Sequence, residues 1–140
     1  MSFARYDRIA EHYGQMWPLL VPGYLPIMKT MLDVVLARDI EPRDILDLGC
    51  GPASATAAVA PACHPDGRVT LVDGAPRMVA AASDLLGSQV REAVTGDFTD
   101  DSVAERAMRP ASYDLALVSF ALHHLDDNSK RSVVDWVAKS

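Results

Sequence analysis

A chain of 140 residues, 49% hydrophobic and 23% charged, has the size and balance of one globular domain that can bury its own core without disulfide or metal staples. Its 13 Lys and Arg against 19 Asp and Glu leave a formal charge of −6 with no basic cluster, which disfavours nucleic acid as a partner. Cys50 and Cys63 form no CxxC, the N-terminus is charged at once, and Pro18, Pro22 and Pro26 interrupt the apolar run from His12 to Met28. A cytoplasmic chain without signal peptide, membrane span or metal site is therefore expected.

In chain order, Phe3 to Tyr13 predicts a short helix, and Ile27 to Ala37 a second, with Ile27, Met31, Val34 and Val35 on one stripe. Between them, Gly14 to Pro26 holds Trp17, Leu19, Leu20, Val21, Tyr24 and three prolines, too many for one continuous helix. It reads either as an apolar arm packed on the core or as a lid over a ligand. Residues 1–40 are thus expected to form an N-terminal helical arm or lid, and residues 41–140 the core.

From residue 40 onward, short β-branched runs alternate with longer helical patterns, the signature of βαβ units around a parallel sheet. The strands are expected at Ile45–Leu48, Arg68–Asp73, Val90–Thr95 and Tyr113–Phe120. The helices between them fall at Ala53–Ala60, Ala75–Leu86 and Asp100–Met108, with a last one at Asp127–Ala138. The run Leu115 to Leu122 is apolar on both alternating faces and reads as a central strand.

The stretch Ile45-Leu-Asp47-Leu-Gly49-Cys-Gly51-Pro-Ala-Ser-Ala-Thr carries the chemistry. A strand ends in a glycine turn that opens a helix, where backbone can approach a small nucleotide-like ligand. The next strand ends at Asp73, placed to accept from a ribose diol. The dinucleotide fingerprint is not met, because Ser54 stands at its last glycine, which argues against a pyrophosphate and against a nicotinamide enzyme. Asp47, two positions before the first glycine, would repel phosphate and attract an ammonium. A ribose joined to a cationic amino-acid end describes S-adenosylmethionine.

These pieces resemble the class I S-adenosylmethionine-dependent methyltransferases: Asp47 to Gly51 as the first motif, Val72 to Met78 as the second, Gly96-Asp97-Phe98 after the third strand, and Tyr113 to Leu125 as the fourth. The resemblance covers residues 43 to 125 and implies a Rossmann-like parallel sheet flanked by helices. By it, Gly49 and Gly51 pass under the methionine part, Asp73 holds the ribose hydroxyls and Met78 packs on the adenine. Asp97 accepts from the adenine amino group, Phe98 borders the ring, and Ser119 and Phe120 line the floor near the sulfonium. The pattern Tyr6 to Tyr13 is similar to the family's opening helix, so Tyr13 is expected to close over the methionine end.

Two features depart from the family. Ala53 stands where glycine is frequent, and the family's seven-stranded sheet is cut short after the fourth strand and the helix that follows it. An apolar fourth strand left at an edge invites a second copy of the chain, or another chain that completes the sheet. For the reaction, His123 at the end of that strand is the candidate base, because an imidazole titrates near neutrality, with His124 behind it. The resemblance implies a methyltransferase acting on a small-molecule acceptor, for which apolar Trp17, Leu20 and Tyr24 argue. The alternative is a non-catalytic S-adenosylmethionine-binding module, or a partner subunit or fragment of a methyltransferase.

Overall fold

The computed structural model describes residues 3–140. Helix α1 (Ala4–Leu20) and helix α2 (Tyr24–Leu36) precede a four-stranded sheet of β1 (Asp44–Leu48), β2 (Arg68–Asp73), β3 (Val90–Thr95) and β4 (Leu115–Leu117). Helices α3 (Ser54–Val59), α4 (Pro76–Leu86) and α5 (Asp101–Ala107) connect the strands, and α6 (Asp127–Val137) follows the last. Strand order is β3-β2-β1-β4 with every pairing parallel, the Rossmann-like arrangement.

Alternation along the strands divides the core. Ile45, Val69 and Leu71 pack with Val35, Val59 and Leu86 on the face covered by α2, α3 and α4. Leu46, Leu48, Val72 and Val94 point the other way, toward Ala104 and Ala107 of α5 and Val133 of α6. Helices on both faces bury the middle of the sheet, so the interiors of β1 and β2, residues 45–48 and 69–72, are apolar apart from Asp47 and Thr70. The chain order reverses between β1 and β4, and the crevice beside such a reversal is where this architecture binds ligands.

The sequence placed β2 and β3 at their observed bounds, and the start of β1 one residue late. Three expectations are corrected. Helix α1 does not stop at Tyr13 but runs through Pro18 to Leu20. Pro18 forfeits one backbone hydrogen bond in the final turn, while the rings of Tyr13 and Trp17 stack on each other at 4.4 Å across that turn. Gly23, with φ of 80°, then reverses the chain, and α2 begins at Tyr24, three residues earlier than its stripe suggested. Pro26 is tolerated there because it lies in the first turn.

The third correction concerns β4, which covers only Leu115–Leu117 and lies at the edge rather than the centre. Its start is tied to β1: the Asp114 carboxylate accepts from the Arg43 and Asp44 amides at 2.9 and 3.1 Å. Its pairing with β1 ends at Leu117, and three residues further on Phe120 adopts φ of 54° and turns the chain.

Candidate functional site

The carboxyl ends of all four strands converge on an open cleft. Gly49 and Gly51 come from the loop after β1, Asp73 and Gly74 from β2, Asp97 and Phe98 from β3, and Ser119, Phe120 and Ala121 from β4. Phe3, Tyr6 and Tyr13 close it from α1 and the residue before that helix, while Met78 rises from the first turn of α4.

Backbone hydrogen bonds fix the floor. The amides of Gly49 and Cys50 both donate to the Val72 carbonyl, at 2.8 and 3.0 Å, and pull the loop after β1 against β2. Gly49 has φ of 67°, and a Cβ there would lie 2.5 Å from the Ala121 Cβ and 3.4 Å from the Phe98 ring. Glycine is required at this position on both counts. Ala53, where the family has glycine, sits fully buried at φ of 61°, so the departure is a backbone in the left-handed region rather than a crowded ligand.

Asp73 is held from both sides: one carboxylate oxygen accepts from the Gly51 amide at 2.9 Å and the other from the Ala75 amide at 2.8 Å. Burial pushes its carboxyl above the usual range, and the two amide hydrogen bonds pull it back. A carboxylate has about four lone-pair sites, so Asp73 keeps acceptor capacity toward the cleft after these two bonds. Asp97 is oriented by its own turn, accepting from the Thr99 amide at 2.9 Å and the Thr99 hydroxyl at 2.6 Å. Asp100, not Asp97, caps α5, so Asp97 is left to the cleft.

The structure brings Tyr13, Gly49, Gly51, Asp73, Met78, Asp97, Phe98 and Ser119 together at this cleft, and leaves out Asp47 and His123. Asp47 projects from β1 onto the α3 face, where it is wholly buried and accepts from the Thr56 hydroxyl at 2.6 Å. Its second oxygen has no partner among the described residues. Burial raises its carboxyl to about 6. Its hydrogen bond goes to α3 and not into the cleft, because the strand alternation that aims Leu46 and Leu48 at one face aims Asp47 at the other.

Of the histidine pair, His124 lines the cleft. The chain leaves β4 through a 3-10 turn, Leu122–His124, so strand alternation no longer predicts which imidazole turns inward. His124 Nε2 lies 2.9 Å from the Tyr6 hydroxyl, which ties α1 to the end of the fourth motif. Desolvation, and then the neighbouring His123, lower the His124 pKa, which favours the neutral ring and lets the Tyr6 hydroxyl donate to it. Sequence reasoning assigned no role at the cleft to Phe3 or Gly74. The signal for them was the glycine directly after Asp73, beside which the Phe3 ring lies so closely that a Cβ at Gly74 has no room.

Helix α1 is fastened over the cleft at a further point. The Asp7 carboxylate accepts from the Arg77 amide at 2.8 Å, capping α4 from outside, and the Arg77 guanidinium pairs with Glu11.

A doubly wound parallel sheet with an acidic residue after β2 and a glycine loop after β1 defines a nucleoside-binding Rossmann-like domain. Residues 45–140 match the model of a methyltransferase domain family, and the chain belongs to that family. The chain is 26% identical over 137 residues to a carboxy-S-adenosyl-L-methionine synthase of Klebsiella pneumoniae, covering 94% of this chain and 52% of that protein. It thus spans about half the length of the curated relatives it matches. Solved structures share the fold. The O-methyltransferase TomG of Streptomyces achromogenes, in complex with S-adenosylmethionine, superposes with a TM-score of 0.63 at 17% identity over 95% of this chain and 59% of its own. The 1,6-didemethyltoxoflavin-N1-methyltransferase of Burkholderia thailandensis, with bound 1,6-didemethyltoxoflavin and S-adenosylhomocysteine, gives 0.62 at 20% identity, over 96% and 55%.

Proposed function

We propose that this chain binds S-adenosylmethionine in the cleft at the strands' carboxyl ends and serves methyl transfer to a small-molecule acceptor. The observation that carries this reading is Asp73: a carboxylate at the end of β2, aimed by two backbone amides into a cleft built from four strand ends. The residues fit the group. Asp73 would accept from the ribose hydroxyls and Asp97 from the adenine amino group, with Met78 and Phe98 against the ring. Gly49 and Gly51 would underlie the methionine part, and Tyr13 would cover it. Asp47 has no direct part in this set. When bound, S-adenosylmethionine supplies an electrophilic methyl group on a sulfonium.

What the protein adds is alignment and, for a hydroxyl acceptor, a route for the proton. His124 takes the place expected for His123. With its ring neutral, Nε2 accepts from Tyr6, and the Tyr6 oxygen can in turn accept from an acceptor O–H as the Tyr6 proton moves to His124. We also propose, from the edge position of β4, that a second copy of the chain or another chain completes the sheet.

The test is transfer of tritium from methyl-labelled S-adenosylmethionine to a panel of small phenols, amines and heterocycles. Extractable labelled product is expected, at a rate reduced about 100-fold or more by Tyr6→Phe or His124→Gln for hydroxyl acceptors. Unchanged turnover of hydroxyl acceptors in both variants would overturn the proton route. Label found only in protein or nucleic acid would overturn the small-molecule reading.

A further inference from the structure

From Tyr13 to Met28 the chain carries no Asp, Glu, Lys or Arg, and the turn that joins α1 to α2 lies within this stretch. Its apolar side chains are not gathered into the core. Leu19 is 86% exposed, and Leu20, Leu25 and Ile27 are exposed with it, beside Pro22 and Pro26. Of residues 19–27 only Tyr24 is buried. Because these residues follow one another around a single reversal at Gly23, their exposed groups form one projecting corner and not a scatter of separate leucines.

The backbone of this corner has few donors left to satisfy. The Val21 amide donates to the Trp17 carbonyl at 3.0 Å, Tyr24 to Val21 at 3.1 Å and Ile27 to Gly23 at 2.9 Å. Pro18, Pro22 and Pro26 have no N–H. A segment that satisfies its own donors loses little on leaving water, which is the condition for entering lipid. Helices α1 and α2 reach the apolar length of a membrane segment only together, and they meet at 95°, a bend that suits lying at a membrane surface and not crossing it as a rod. Charge selects the kind of surface. Lys29, the first cation after the stretch, pairs with Asp33 at 2.6 Å, Glu11 stands before the stretch, and the whole chain carries −6. Such a rim offers nothing to anionic headgroups.

We propose that the α1–α2 corner is a membrane-surface wedge, with Leu19, Leu20, Leu25 and Ile27 entering the headgroup–acyl boundary of a zwitterionic bilayer, held by apolar burial and not by charge. A folded protein partner is recognised through a polar rim that sets its register, which this corner lacks, whereas lipid asks only for apolar area. The inference goes beyond methyl transfer and does not depend on it.

The test is co-sedimentation of the 140-residue chain with phosphatidylcholine vesicles, and with vesicles that also contain phosphatidylglycerol, at low and high salt. Saturable partition into phosphatidylcholine is expected, equal at both salt concentrations and no stronger with phosphatidylglycerol. Leu19→Ser with Leu25→Ser should lower it about tenfold or more, whereas Leu85→Ser, at a comparably exposed leucine on α4, should leave it unchanged. Circular dichroism and the thermal transition first establish that both variants fold as the wild type does. No partition into phosphatidylcholine, partition that the double variant keeps, or an equal loss in Leu85→Ser would overturn the inference. So would binding confined to phosphatidylglycerol vesicles and lost at high salt, which would mark docking by charge. An oligomer of the free chain that the double variant dissolves would assign the corner to contact between copies and overturn it as well.

Discussion

Single residues at the sheet's carboxyl edge carry opposite burdens. Asp47 holds its proton more tightly in the folded chain, at about 6 against an ordinary 3.8, because burial opposes the charge more than Thr56 supports it. A folded state that binds the proton more tightly is favoured at low pH, so this group's contribution is complete below pH 4 and is lost as pH rises to 6. The loss is on the order of 3 kcal/mol, at about 1.4 kcal/mol per unit. Asp47→Asn keeps an acceptor for Thr56 and carries no charge. Urea unfolding at pH 4 and pH 7 should therefore show the wild-type chain losing stability relative to the variant, and equal changes in both would contradict the assignment. Gly49→Ala meets both a left-handed backbone and the Ala121 methyl. The backbone alone should cost about 1–2 kcal/mol in the same assay, with loss of S-adenosylmethionine binding in addition.

At the scale of elements, the arm over the cleft depends on a few contacts. The Asp7 carboxylate supplies the cap that Ala75, the residue before α4, cannot. Asp7→Ala should remove about 1 kcal/mol and raise amide exchange along α1 while that of β1 and β2 stays slow; unchanged exchange in α1 would show that the helix is held by its apolar face alone. The strands of the sheet's interior were legible because each is a short, largely apolar run that ends at Gly49 or at Asp73. Asp73, Gly49 and Gly51 were legible because position at a strand's end fixes what a residue faces. The length of α1 was not, since the Pro18 penalty is small in a final turn and the Tyr13–Trp17 stack is a helical neighbour contact that composition does not reveal. Which of His123 and His124 lines the cleft was not legible for a related reason: Phe120 at positive φ breaks the alternation three residues before His123. Asp47 was misread because its place beside the glycines suggested a ligand contact, whereas the pleat turns it onto α3.

The whole molecule places one binding edge between two covered faces and leaves β4 with a single neighbour, β1. Leu19 and Leu20 of α1 and Leu25 of α2 are exposed to solvent. No single helix among the described residues is long and apolar enough to cross a membrane. The proposed pairing at the β4 edge would cover that strand's unpaired backbone groups. Size-exclusion chromatography with light scattering should return a dimer or larger species, and a monomer stable at high concentration would contradict edge pairing. The central claim, that four strand ends and the α1 arm form an S-adenosylmethionine site organised by Asp73, is tested most directly by isothermal titration of the chain with S-adenosylmethionine beside Asp73→Asn and Asp73→Ala. The account predicts saturable binding by the wild-type chain, weakened about tenfold or more in both variants while each remains folded, as expected for loss of charge-assisted hydrogen bonds. Binding of equal strength in the folded variants, or none by the folded wild-type chain, would contradict it.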